Sequence, residues 1–246
     1  MKIRELLNMT KDDLETRGAI RIVAFGDSVT HGAQAPGVID YDTVYWNRLK
    51  RKLNAVRSYV PINVINSGIG GTSATSSLMR VDRDVISYHP DLVIVCFGLN
   101  DMGGPYEQFI TSLREIFAKC TACGAEVIYL SPNMMNTYVA PDTREDLKEY
   151  AAFTADKQTS GHFDKYIASA IAVAREAGVT VCDCYGEWKK RSEQGEDVTM
   201  LLANRINHPT AQMHELFAQM LFDTIMGGDG FVAKDNSSTM ADKKAK

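Results

Sequence analysis

The chain has 246 residues, 45% of them hydrophobic and 24% charged, with a formal net charge of −4. That length allows one large domain with a substantial core, and the mild acidity argues against a nucleic-acid or acidic-membrane partner. No apolar run reaches membrane-spanning length, and the charged stretch 1–18 is not a secretory signal, so a cytoplasmic location is expected.

Residues 3–17 carry Leu6, Leu7 and Leu14 among charges and predict an N-terminal helical extension, 1–18, ahead of a single domain, 19–227. The apolar, β-branched run 20–25 predicts a buried parallel strand. It ends in Phe25-Gly26-Asp27-Ser28-Val29-Thr30-His31-Gly32, a sharp polar turn bracketed by two glycines. A serine where a strand ends stands at the mouth of an α/β sheet, where open-sheet folds bind ligands. Residues 41–57 show helical spacing, and 61–66 predict a second strand. The glycine loop Asn66-Ser67-Gly68-Ile69-Gly70-Gly71-Thr72-Ser73 follows. It lacks the Lys-Ser/Thr ending of a P-loop and fits a dinucleotide fingerprint poorly, but its glycines let backbone N–H groups approach a ligand closely.

A helix is predicted through Leu78, Val81, Val85 and Ile86, stopping before His89-Pro90. Residues 92–97 form the strongest predicted strand, followed by Gly98-Leu99-Asn100-Asp101. Helix 106–123 ends at Gly124. Its Cys120-x-x-Cys123 has redox or metal spacing, but no second pair completes a zinc site. Strand 127–130 leads into a long polar connection, 133–160, with a helical middle. Asn133, Asn136 and Tyr138, with His162 beyond it, are expected to crowd a substrate pocket. Helix 161–177, strand 179–182, a short helix 185–192 and an amphipathic helix 210–226 complete the domain. The polar tail 228–246 is expected to be disordered. Strands alternating with helices give a three-layer α/β/α sandwich with a five-stranded parallel sheet in flavodoxin-like order.

Right-handed crossovers put every βα turn on one sheet edge, so Ser28, Gly71 and Asn100 come together there. Acyl transfer needs a nucleophile, a base and donors aimed at a developing oxyanion. The base must come from five histidines. His89 lies at the wrong sheet edge, His162 and His214 are helical, His31 is near Ser28 in sequence, and His208 precedes Pro209 at a helix start. Asp27 and Asp101 are expected to satisfy turn amides, and no acidic or histidine cluster calls for a metal or other cofactor.

Taken together, Gly26-Asp27-Ser28, the glycine loop, Gly98-Leu99-Asn100-Asp101 and His208-Pro209 resemble the four motif blocks of the SGNH/GDSL hydrolases, in the right order across residues 20–226. The resemblance implies Ser28 as nucleophile and His208 as general base. It implies an oxyanion hole from the Ser28 and Gly71 N–H groups and the Asn100 amide; Gly70 is adjacent, and counting from Asn66 favours Gly71. The pattern breaks at the acid. The family's aspartate three residues before the histidine is Arg205 here, and four before is Asn204. A Ser-His dyad is therefore expected, with His208 oriented by Asn204, the nearest candidate in sequence, by a backbone carbonyl or by a more distant carboxylate. The implied activity is metal-independent hydrolysis of a small acyl ester, acetyl for choice, on a carbohydrate. The alternatives are lysophospholipase or thioesterase action, or ligand binding without catalysis.

Overall fold

The computed structural model describes residues 1–227; the tail 228–246, expected to be disordered, lies outside the described residues. Five strands form one sheet: β1 Ile20–Gly26, β2 Ile62–Gly68, β3 Leu92–Cys96, β4 Glu126–Leu130 and β5 Thr180–Cys182. Their order is β2-β1-β3-β4-β5 and every pairing is parallel, the flavodoxin-like arrangement. All five residues of β3 are buried, as a sheet covered on both faces requires. The chain moves from β1 outward to β2, then back across to β3, β4 and β5. With right-handed crossovers this reversal places helices on opposite faces. Helix Tyr45–Val56 packs on Ala211–Met226, and Tyr106–Ala122 packs on His162–Glu176.

Two predicted helices are broken. The N-terminal stretch is two short helices, Lys2–Leu6 and Lys11–Arg17. Thr10 starts the second with a capping box: its hydroxyl accepts from the Asp13 N–H at 3.3 Å, and the Asp13 carboxylate accepts from the Thr10 N–H at 2.8 Å. Ile3 and Leu7 are fully buried in the common core. The helix expected after the glycine loop is Ala74–Ser77 and Val81–Asp84 joined through a 3₁₀ turn. There Arg80 turns inward, donating to the carbonyls of Gly26 at 3.1 Å and Ser67 at 2.7 Å and lying 4.5 Å over the Phe25 ring. It thus ties together the ends of β1 and β2.

Register positions the site. Gly26 pairs with Gly68 on one side and with Cys96 on the other, so the turns after β1, β2 and β3 leave the sheet level with one another. Gly68 has to be glycine, since a Cβ there would lie 2.3 Å from the His31 nitrogen. The close approach seats the turn after β1 directly on the end of β2.

Candidate active site

Ser28 opens a single helical turn, Ser28–His31. Asp27 caps it, with Oδ1 accepting the Val29 N–H at 2.9 Å. Gly32, at φ 106°, ends it in the left-handed region. Asn66 braces the other end: its Nδ2 donates to the His31 carbonyl at 3.2 Å while its Oδ1 accepts the Gly68 N–H at 2.9 Å. Ser28 is 9% exposed, all but buried.

The Ser28 Oγ lies 3.1 Å from Nε2 of His208. The other ring nitrogen, Nδ1, is 3.0 Å from the main-chain oxygen of Gln34. A carbonyl only accepts, so Nδ1 carries the proton and Nε2 presents its lone pair to the serine. Burial holds the His208 pKa below its ordinary value, and the Gln34 carbonyl offsets this in part.

Of the three partners open to the imidazole, Asn204, the nearest candidate in sequence, does not reach the ring, and a backbone carbonyl, that of Gln34, does. Asn204 Oδ1 accepts three main-chain N–H groups, from Ile206 at 3.0 Å, Asn207 at 3.0 Å and His208 itself at 2.9 Å. Its Nδ2 donates to Asn207 Oδ1 at 2.9 Å. These contacts all lie within the turn, and both ring nitrogens of His208 are engaged elsewhere, with the Gln34 carbonyl and Ser28 Oγ. The turn is also closed by a Leu202–Pro209 bridge and by an Ala203 N–H to His208 carbonyl bond of 2.7 Å. Arg205 takes φ 62° at its tip, and its guanidinium pairs with Asp142 at 3.0 Å. Asp197, the nearest preceding carboxylate in sequence, accepts from the Tyr138 hydroxyl at 2.6 Å and the Thr199 N–H at 3.1 Å.

Within the connection after β4, Asn133 and Asn136 brace this turn, while Met134, Thr137 and Gln158 line a cavity that does not include Ser28 or His208. Asn133 and Asn136 are fully buried. Asn133 Nδ2 donates to the Asn207 carbonyl at 2.9 Å, and the Asn136 N–H to the Ile206 carbonyl at 2.8 Å. His162 is 3.0 Å from the Met102 carbonyl, and its ring lies 4.9 Å from that of Tyr166, tilted by 33°. Two surface cavities, of about 390 and 320 Å³, include neither Ser28 nor His208 in their linings; the smaller lies behind the histidine turn, against Pro36, Asn204 and Arg205.

Asn100 follows β3, and one hydrogen of its amide is committed to the Thr72 carbonyl at 2.9 Å. That bond ties the amide to the glycine loop and leaves the second hydrogen available. Gly71 takes φ 77°, and a Cβ there would meet nothing within 4 Å. Gly70 is the closer to Ser28, since its Cβ would lie 3.8 Å from Ser28 Cβ. Asp27 and Asp101, flanking Ser28 and Asn100, are both buried, and Asp101 Oδ1 accepts the Ala74 N–H at 2.8 Å. Burial pushes each carboxyl up to about 7. Among the described residues no group of three or more His, Cys, Asp or Glu side chains is placed to hold a metal, and no helix is long and apolar enough to cross a membrane.

Gln34 was not legible in the sequence, because any residue can supply a carbonyl. It is placed by the loop between the serine turn and helix Tyr45–Val56, where its Nε2 donates to Thr43 Oγ1 at 2.6 Å and its N–H to the Val38 carbonyl at 3.0 Å.

Comparison with known proteins agrees with this layout. The model of the GDSL-like Lipase/Acylhydrolase family matches residues 24–216. The acetylxylan esterase Axe2 of Geobacillus stearothermophilus superposes with a TM-score of 0.64 at 19% identity, over 88% of this chain and 97% of that one. A putative GDSL-like lipase of Parabacteroides merdae gives 0.66 at 17% identity, over 85% and 95%. At these identities the likeness is one of fold. An uncharacterized lipoprotein of Bacillus subtilis (strain 168), YqeF, is 29% identical over 89 residues, 35% of this chain and 34% of that protein. The chain thus spans about a third of the length of that curated relative.

Proposed function

The chain belongs to the GDSL-like Lipase/Acylhydrolase family, a family of carboxylic ester hydrolases, and from that premise we propose that it removes a small acyl group, acetyl for choice, from a carbohydrate through a Ser28-His208 dyad. The observation that carries the reading is the chain of contacts from Ser28 Oγ to His208 Nε2 at 3.1 Å and from Nδ1 to the Gln34 carbonyl at 3.0 Å.

As Ser28 Oγ bonds to the acyl carbon, its proton passes to Nε2. The oxygen of the former carbonyl takes up negative charge, facing the Ser28 and Gly71 N–H groups and the free hydrogen of the Asn100 amide. When the ester C–O bond breaks, the imidazolium returns that proton to the departing alkoxide. Nε2 then takes a proton from water, whose oxygen bonds to the acyl carbon. The carboxylic acid leaves as Ser28 recovers its proton. The Gln34 carbonyl holds the tautomer through both halves but adds no full charge beside the imidazolium, as a carboxylate would. The acetylxylan esterases among the structurally similar proteins support acetyl as the acyl group and a sugar as the alcohol.

A second reading, a longer acyl chain as in lysophospholipid or thioester cleavage, is favoured by Val38, Ile39 and Ile69, apolar side chains exposed on the loops after β1 and β2. Steady-state kinetics on p-nitrophenyl esters from acetate to laurate, alongside acetylated xylose, separates the two. The proposal expects kcat/KM to fall as the acyl chain lengthens and acetate to be released from the sugar. A maximum at eight carbons or more would favour the second reading. Saturable binding of the esters with no turnover would mean a ligand-binding relative.

A further inference from the structure

One histidine at the site is left over by the dyad. The position that a Cβ of Gly70 would occupy lies 3.8 Å from Ser28 Cβ and 3.8 Å from Nδ1 of His31. The nucleophile and this second imidazole therefore face one gap, no wider than twice that distance, which the missing side chain of Gly70 keeps open. Nε2 of His31 is 3.3 Å from the hydroxyl of Tyr41. With the phenol as donor and Nε2 as acceptor, the ring's proton sits on Nδ1, on the side of the gap.

Tyr41 is 52% exposed and yet held from several directions. Its ring edge packs where Gly32 has no side chain, 3.6 Å from the place of a Cβ, and its carbonyl accepts from Asn47 Nδ2 at 2.9 Å. Just before it, the Asp40 carboxylate gathers the Asp42 and Thr43 N–H groups at 2.8 and 3.1 Å. An exposed aromatic fixed in this way offers a flat apolar face at little further entropic cost, and in that tautomer of His31 an N–H donor stands beside it. A pyranose presents the matching surfaces, an apolar C–H face and equatorial hydroxyls. An alkyl chain could use the aromatic face but not the donor.

We infer that His31 and Tyr41 form the subsite for the alcohol half of the ester, and that this half is a hydroxylated ring, stacked on Tyr41 and hydrogen-bonded by Nδ1–H of His31. The inference rests on the ester-hydrolase reading and adds to it the residues that select the alcohol.

The test compares two acetates that differ only in the alcohol, a monoacetylated methyl xylopyranoside and ethyl acetate, followed by acid release. In His31→Ala and Tyr41→Ala the ratio of kcat/KM, sugar acetate over ethyl acetate, should fall about tenfold, roughly the value of one well-made hydrogen bond or stacked ring. The loss should appear in KM. Tyr41→Phe keeps the face but releases His31, so its ratio should fall less than that of Tyr41→Ala. Ratios within twofold of wild type, or a wild-type preference for ethyl acetate, would overturn the subsite. If wild type hydrolyses neither ester, the catalytic reading fails. Binding of methyl xylopyranoside, followed by chemical-shift perturbation, then decides the subsite separately: binding that His31→Ala abolishes upholds it, and binding that is absent or unaffected overturns it.

Discussion

The two turns that meet at the candidate site are held in different ways. The serine turn is fixed by neighbours in sequence and by the sheet beneath it: Asp27 caps it, Gly32 ends it, and the Gly26–Gly68 pairing sets its height. The histidine turn has no strand beneath it. It is filled by Asn204, braced from the β4 connection by Asn133 and Asn136, and its imidazole is oriented by a carbonyl 174 residues away in sequence. A position set by sheet register withstands local change, whereas one set by a few long-range hydrogen bonds is as good as the weakest of them.

The largest effect expected from a single supporting residue lies on the register-held side. Asn100→Ala should lower kcat by about 10²–10³-fold, the usual loss for one oxyanion donor, with a smaller change in KM. Steady-state kinetics on p-nitrophenyl acetate reads both. A raised KM with kcat unchanged would make Asn100 a binding residue only.

On the other side, Asn204→Ala leaves three main-chain N–H groups without their acceptor. Each buried unpaired group costs about 1–3 kcal/mol, so the turn should loosen and kcat fall by about 10–100-fold. Asn204→Asp keeps the accepting oxygen, and the Asn207 amide can turn over to face a carboxylate, so this variant should lose less. Equal losses in the two variants would mean that the accepting oxygen is not what holds His208.

These two sides were unequally legible in the sequence. The strand-ending serine, the glycine loop and the asparagine after β3 could be placed because parallel order and right-handed crossovers bring such turns to one edge. The fold class followed from the same alternation. The broken helix at Arg80 was hidden, because helical spacing says nothing of a guanidinium turning in to bridge two strand ends. Asn204 was marked at the right position for the wrong contact: sequence distance suggests reach to the imidazole, while the bonds to Ile206, Asn207 and His208 exist only once the turn has closed. Asn133 and Asn136 looked like pocket residues because polar loops often line pockets, and their amides are instead spent on main-chain carbonyls.

Orientation by a carbonyl also has a signature in pH. As the proposed base, His208 works when neutral, and burial holds its pKa below the ordinary 6.5. The acidic limb of kcat/KM, which reports the free enzyme, should therefore have its midpoint below 6.5. A midpoint above 7 would point to a carboxylate beside the ring, since negative charge favours imidazolium.

The smallest expected effect is on stability. His214, on the helix that follows the histidine turn, is fully buried against Tyr45, and neither ring nitrogen has a hydrogen-bond partner. Burial pushes its pKa down to about 3. The unfolded chain thus takes up a proton near 6.5 that the folded chain refuses, and this residue's contribution worsens by about 1.4 kcal/mol per pH unit as pH falls from there toward 3. Asp27 and Asp101, raised to about 7, act in the opposite sense: their contribution is present below about 3.8 and lost as pH rises toward 7. The difference between His214→Phe and wild type isolates the histidine. The variant should melt a few degrees higher at pH 7, and its advantage should grow at pH 5. An advantage that shrinks on acidification would mean that the imidazole is protonated in the folded state.

The central claim is that Ser28 is activated by His208 and becomes acylated. Its most direct test is covalent labelling with a small p-nitrophenyl phosphonate, followed by peptide mass spectrometry on wild type and His208→Ala. The account predicts one adduct, on Ser28, formed in wild type at a rate that His208→Ala lowers by about 10³-fold or more. An ester-hydrolysing protein that carries the adduct elsewhere, or that labels at Ser28 equally fast without His208, would contradict it.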